Sequence, residues 1–397
     1  MKLIADLERG LVAREAEGLL RVRRTVDSPP GARVTVDGRW LVNFASNDYL
    51  GLANHPDVVA AARDGATRWG AGAGASHLIC GHYTAHTALE TELAAWAGPC
   101  AGAQALTFGS GYLANLALLT TLAGRGDAIF ADRLNHACLN DGALLSRADF
   151  VRYPHRDLVQ LRQRLAASHA PRKVIATDAV FSMDGDLAPL PGLLALADEF
   201  DAWLVVDDAH GFGVLGAGDD AGRGTVAHFG LAAERIVYMG TLGKAAGVAG
   251  AFVAAHPAVI ATLIQKARTY VFTTAAPPLL AEALRASLAV IRRDRARHDH
   301  LAMLIGRFRR RMPALPWSLL PSTTPIQPLV VGANADAMAL SAALWQRGFW
   351  VPAIRPPTVP AGTARLRITL SAAHAVDDVD ALADVLAELA PAYAGAR

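Results

Sequence analysis

Trp203-Leu-Val-Val-Asp-Asp-Ala-His210 places four apolar residues directly before two acids, an alanine and a histidine. A short apolar run with polar punctuation is the pattern of a strand buried on both faces, so the acids and the histidine fall where such a strand ends. The pattern recurs at residues 105–108, 128–131, 174–177, 236–239 and 251–254, with helix-length segments such as 192–200 in several gaps. Strands alternating with helices predict βαβ units and a mostly parallel sheet in a large α/β domain, six of its strands being marked by these runs.

Working outward, the character changes at both ends. After Pro278 comes a long arginine-rich helical stretch, then strands at 326–331, 349–353 and 365–370 with helix between them, which reads as a smaller α+β domain. Upstream, residues 33–44 alternate around Asp37-Gly38, a strong hairpin signal. Before it, Leu3, Leu7, Leu11, Leu19 and Leu20 stand at near-helical spacing among charges and predict an amphipathic helix lying on the body. The expected division is an arm at 1–45, a large domain at 46–285 and a small domain at 286–397.

Composition narrows the function. The 397 residues carry 38 Lys+Arg against 36 Asp+Glu, a net charge of +2, so no nucleic-acid or anionic membrane partner is expected. At 52% hydrophobic and 19% charged, the chain is too apolar to be disordered. Three cysteines, Cys80, Cys100 and Cys138, lack a disulfide framework. Asp6, Glu8 and Arg9 interrupt any signal-peptide core, and the uncharged stretch 245–265 contains His256-Pro257, which argues against a membrane span. A cytoplasmic protein is expected.

In parallel sheets, ligands bind beyond the carboxyl ends of the strands. The residues at those ends are Gly109-Ser-Gly-Tyr112, Asp132 to His136, Ser182-Met-Asp-Gly185, Asp207-Asp-Ala-His210 and Thr241-Leu-Gly-Lys244. One rival is a dinucleotide site, because Gly109-x-Gly111-x-x-Ala114 fits that fingerprint, with Asp127 or Asp132 beyond it. Its position after about 100 residues of other structure weakens that reading. His82 and His86, beside Cys80, are read as satisfying backbone groups, and no metal is expected. Lys244, set among small apolar residues, needs a reason to be there. Pyridoxal phosphate supplies one. It requires a lysine for a Schiff base, a carboxylate at its ring nitrogen, a flat group over its ring and donors for its phosphate. Lys244, Asp207, His136 and the Gly111-Tyr112 turn fill those needs, with Ser182, His210 and Thr241 as further contacts.

The motifs Asn43-Phe-Ala-Ser-Asn-Asp-Tyr-Leu-Gly51, Gly109-Ser-Gly-Tyr-Leu-Ala-Asn115, Ala131-Asp-Arg-Leu-Asn-His-Ala137, Val180-Phe-Ser-Met-Asp-Gly-Asp186, Val206-Asp-Asp-Ala-His-Gly211 and Thr241-Leu-Gly-Lys244 resemble, in order, those of the α-oxoamine synthase family of fold-type I pyridoxal phosphate enzymes. Ala75-Ser-His-Leu78 and Ala353-Ile-Arg-Pro-Pro-Thr-Val-Pro-Ala-Gly-Thr-Ala-Arg-Leu-Arg367 resemble the branch that condenses L-alanine with a pimeloyl thioester of coenzyme A or acyl carrier protein in biotin synthesis. The resemblance implies a large domain with a mostly parallel seven-stranded sheet between helices, Lys244 as the base at Cα, Asp207 at the ring nitrogen and His136 against the ring. It also implies Arg367, assisted by Asn47, as the grip on the amino-acid carboxylate, and Arg21, Arg355 and Thr358 as acyl contacts. A homodimer is implied too, with residues 72–76 and Thr273-Thr274 serving the partner's cofactor. Glycine acyl transfer is the alternative within the family. A basic patch for a carrier protein, at Arg292, Arg293, Arg295, Arg297, Arg307 and Arg309 to Arg311, competes with a plain solvated helix face.

Overall fold

Strands β1 (Arg33–Val36) and β2 (Arg39–Asn43) form the expected antiparallel hairpin. Its turn residues Asp37 and Gly38 both have positive φ, 49° and 75°, the twist that a two-residue hairpin demands and the reason for Asp-Gly there. The apolar runs become β3 (Gln104–Phe108), β4 (Ala128–Asp132), β6 (Lys173–Asp178), β7 (Ala202–Asp207), β8 (Ile236–Thr241) and β9 (Ala251–Ala255). The computed structural model describes residues 1–216, 218–312 and 315–393, and adds β5 (Asp149–Tyr153), a strand the sequence reading did not contain.

These seven strands form one sheet in the order β3-β9-β8-β7-β6-β4-β5. Only β9 runs against the others, pairing antiparallel with both β3 and β8. A continuous core fills the space between this sheet and helices such as Gly111–Leu122 and Pro257–Lys266: Leu118, Val205, Val237, Val253 and Ile260 are all buried in it. Close packing on both faces is what makes the strands uniformly apolar, β4 being buried at all five positions. The arginine-rich stretch is two helices, Pro278–Arg293 and Arg295–Arg311.

The chain divides into two units. The larger comprises Leu50–Ser182 and Asp186–Asp299, and contains the seven-stranded sheet. The smaller comprises Met1–Tyr49, Met183–Gly185 and the chain from His300 onward. It holds β10 (Ser318–Leu319), β11 (Ile326–Gly332), β12 (Phe349–Trp350), β13 (Ala353–Ile354) and β14 (Ala364–Thr369). The hairpin is not a separate arm, because β2 pairs parallel with β12, while β10-β11-β14-β13 form a second sheet. The division falls at 299/300 rather than 285/286, since the helix Pro278–Arg293 packs against Pro56–Trp69 and Thr84–Ala97 of the larger unit.

Two expectations are corrected. The N-terminal helix forms, at Lys2–Ala16, but buries no residue, with Leu3 and Leu7 78% and 70% exposed. Amphipathic spacing specifies an apolar stripe and not the surface that covers it. The basic run is partly neutralised: Arg293 pairs with Asp57, Arg295 with Asp219, Arg307 with Asp380 and Arg311 with Asp384, while Arg292, Arg297 and Arg309 donate to the Glu92, Leu50 and Leu320 carbonyls. Among the described residues no helix is long and apolar enough to cross a membrane, and all three cysteines are free.

Candidate active site

Five strand ends of the larger unit meet around a cavity of about 210 Å3. From β3 comes the turn into helix Gly111–Leu122, where Ser110 caps by accepting from the Leu113 N–H at 3.3 Å and Gly111 and Tyr112 line the cavity. From β4 comes His136, at the cap of helix Ala137–Ser146. Asp178, Asp207 and Thr241 are the last residues of β6, β7 and β8, and Ser182, His210 and Lys244 lie just beyond those strands. The eight residues expected at a cofactor thus line one cavity. Cys138, Asp178, Ala209 and Met239 join them without having been expected.

Asp207 is held from two directions. The Asn115 side chain donates to its Oδ2 at 2.6 Å and the Ala209 N–H to its Oδ1 at 3.0 Å. Asn115 is completely buried on Gly111–Leu122, where a lone amide in an otherwise apolar helix was the available signal. Asp178 lies beside Asp207 in register on the neighbouring strand. Burial, then repulsion from Asp207, raises its pKa well above the ordinary carboxylate value. Its Oδ2 accepts the His136 N–H at 3.1 Å, which fixes the backbone of the ring-bearing residue.

Lys244 Nζ lies 2.9 Å from His210 Nε2. Burial lowers the His136 pKa, with Asp207 opposing and Lys244 adding to the shift, so its imidazole is neutral at pH 7. Burial pushes the Cys138 thiol up, keeping it protonated 2.8 Å from His136 Nδ1. Behind the cavity, His155 bridges Asp132 Oδ1 at 3.0 Å and Asp186 Oδ2 at 2.9 Å. Burial alone would lower its pKa, but bonds to the two carboxylates outweigh this and raise it to about 9. Asp132 opens the loop carrying His136 and Asp186 closes the loop carrying Ser182, so one imidazolium ties both loops together.

In the smaller unit, Arg367 on β14 is buried and donates to Asn47 Oδ1 and Thr369 Oγ1, both at 3.1 Å, with the Tyr49 hydroxyl 3.5 Å away. Its guanidinium is thereby fixed before any ligand arrives. Arg365, two residues earlier, donates to Asp184 Oδ1 at 2.8 Å and to the Met183 carbonyl at 3.1 Å, holding the segment after Ser182. Arg355 and Thr358 share one turn, closed by the Thr358 N–H on the Arg355 carbonyl. Arg21 lies exposed on the irregular segment after the first helix.

The dinucleotide alternative fails on topology. The glycine turn follows β3, which is the edge strand and pairs only with antiparallel β9, whereas a dinucleotide fold places that turn after a parallel strand at its switch point. The aminotransferase class I and II family matches residues 39–386. An 8-amino-7-oxononanoate synthase of Polaromonas naphthalenivorans is 59% identical, covering 100% of both chains. The chain belongs to the 8-amino-7-oxononanoate synthase family. A second member, from Aromatoleum aromaticum, is 58% identical over 98% of this chain and 99% of its own. Among solved structures, a serine palmitoyltransferase variant from S. paucimobilis with bound PLP and myriocin matches with a TM-score of 0.90, at 26% identity over 98% of this chain and 97% of that one. This family depends on pyridoxal phosphate. The cavity fits it: an amine, an aligned carboxylate, two imidazoles and two hydroxyls surround a space into which Asp178 presents a buried Oδ1 that has no partner among the described residues.

Proposed function

We propose that this chain is an acyltransferase that condenses L-alanine with a pimeloyl thioester, of coenzyme A or acyl carrier protein, giving 8-amino-7-oxononanoate, CO2 and the free thiol. The observation that carries it is the Lys244–His210–Asp207 cluster at adjacent strand ends, in a chain 59% identical to such a synthase along its full length. Pyridoxal phosphate, when bound, supplies a carbonyl for the amino group of alanine and a protonated ring that draws in the electron pair left at Cα.

The protein's part is to hold and move protons. Lys244 Nζ would take the Cα proton, and Asp207, oriented by Asn115 and Ala209, would hold the bound cofactor's ring nitrogen in its protonated form. The Cα pair forms the new bond to the thioester carbonyl carbon, the C–S bond breaks and the thiolate leaves to be protonated. The carboxylate then departs as CO2, and Lys244 returns a proton to Cα. His136, which lines the cavity, would pack against the bound cofactor as a neutral imidazole that adds no charge. His210 and Ser182 would hold polar substituents of the cofactor, while Thr241 and the N-terminus of Gly111–Leu122 would receive its phosphate. Arg367, prearranged by Asn47, takes the carboxylate of alanine, and Arg21, Arg355 and Thr358 contact the acyl donor.

A cytoplasmic homodimer is part of the same reading. The free cysteines support the compartment. The leucine stripe of Lys2–Ala16, and Ile79 and Phe272 at 80% and 71% exposure, support a second copy as the cover.

A matrix of alanine or glycine against pimeloyl, acetyl or succinyl thioesters, read by CO2 release, tests the reaction. Alanine with pimeloyl is expected to lead glycine by roughly tenfold or more, the discrimination one methyl group permits. Faster CO2 release from glycine with the acetyl thioester overturns the assignment. Borohydride reduction should fix the pyridoxyl mass on the Lys244 peptide, and the label on Lys266 would refute the role of Lys244.

A further inference from the structure

Behind the cavity wall, hydrogen bonds run in one direction from Asp207 to His136. As the carboxylate of the proposed reaction, Asp207 only accepts, taking the Ala209 N–H on Oδ1 at 3.0 Å and Asn115 Nδ2 on Oδ2 at 2.6 Å. This turns the nitrogen of the Asn115 amide toward Asp207. Asn115 Oδ1 is buried without a partner among the described residues, yet flipping the amide would set that oxygen against the carboxylate. The same nitrogen has a second N–H to give, and Cys138 Sγ lies 3.0 Å from it.

With its sulfur accepting from Asn115, Cys138 directs its own proton at His136 Nδ1, 2.8 Å away. The Cys138 backbone N–H reaches the same nitrogen at 3.3 Å, as part of the cap on helix Ala137–Ser146. A backbone N–H donates and cannot accept, so Nδ1 must offer a lone pair. Burial keeps the thiol protonated and lowers the His136 pKa, so the ring carries a single proton. With Nδ1 bare, that proton sits on Nε2. The His136 main chain is held as well, its N–H donating to Asp178 Oδ2 at 3.1 Å.

We propose that Asn115 and Cys138 form a one-way hydrogen-bond chain from Asp207 to His136 that holds the imidazole as its Nε2–H tautomer, Cys138 being the positioning residue. A nitrogen that already carries a proton has no lone pair to take another. His136 therefore presents a donor to the cavity it lines, and removal of the Cα proton is left to Lys244. This role in catalysis rests on the proposed condensation, while the tautomer is measured without substrate, so the two can fail separately.

The test is long-range 1H–15N NMR of holoenzyme labelled with [15N]histidine, the His136 ring being identified by its loss in His136→Gln. The wild type is expected to show Nε2–H, and an Nδ1–H ring overturns the proposal. Cys138→Ser keeps a group that accepts from Asn115 and donates to Nδ1, so tautomer and proton affinity should both stay as in the wild type. Cys138→Ala removes a donor to the neutral ring and should raise the proton affinity of His136 by about threefold or more in a pH titration of the same signals. The charged groups acting on the ring, Asp207, Lys244 and Asp141, are common to all these proteins. Cofactor absorbance shows that each variant has folded. An unchanged titration in Cys138→Ala overturns the proposal, as does a Cys138→Ser protein that titrates like Cys138→Ala.

Discussion

Replacing His155 by Gln removes the imidazolium whose two ring nitrogens bond Asp132 and Asp186, while leaving a side chain long enough to hydrogen-bond one of them. A pKa raised from 6.5 to about 9 corresponds to ~3 kcal/mol of preference for the folded imidazolium. With a quarter of the side chain exposed, solvent screening brings this to about 2 kcal/mol. The raised value sets the sign. The stabilisation is complete below the unfolded pKa of 6.5 and is lost as pH rises through about 9. Arg156 faces the same carboxylates, its Nη1 3.0 Å from Asp186 and its N–H 2.8 Å from Asp132, and these bonds are common to wild type and variant. Urea unfolding of holoenzyme from pH 6 to pH 10 is the assay, with cofactor absorbance recorded alongside. Wild type should exceed His155→Gln by about 2 kcal/mol at pH 6 and converge on it by pH 10, with cofactor retention falling in step. Parallel stability curves across that range would show that the imidazolium does not hold the two loops.

Asp207→Asn should keep its cofactor but lose roughly 100-fold or more in alanine Cα deuterium exchange, because an amide cannot hold the ring proton; undiminished exchange measured by NMR refutes the role of Asp207. Arg367→Lys should raise the KM for alanine about tenfold or more with a smaller effect on kcat, since an ammonium cannot match a bidentate carboxylate, and an unchanged KM counts against the assignment. Gly185→Ala should cost about 2–4 kcal/mol in a melting experiment. Its φ is +71° and the new Cβ would stand 2.6 Å from both the Ile326 carbonyl oxygen and Ser322 Oγ; a loss under about 0.5 kcal/mol would mean that the segment relaxes freely.

The sheet was legible because strands buried on both faces must be apolar throughout, and the polar residues just beyond them mark where ligands reach the protein. The strand β5 escaped notice because Asp149-Phe-Val-Arg-Tyr153, at the sheet edge, exposes part of its length and so carries charge. Asp178 was missed by one position, the predicted strand stopping at Thr177. Asn115 and Cys138 sit inside helices, where periodicity cannot show that a side chain points at Asp207 or His136.

By itself the sequence determined the hairpin at Asp37-Gly38, the strand-end chemistry and the family, since each rests on local pattern or on motifs in fixed order. Only the tertiary structure decided that β9 runs backwards, that the hairpin joins β12, that Arg293, Arg295, Arg307 and Arg311 of the long helices are paired with carboxylates, and that Asn115 and Asp178 set the environment of Asp207 and His136. Those outcomes depend on contacts between residues far apart in the chain, where packing and desolvation select the partners and no local rule does.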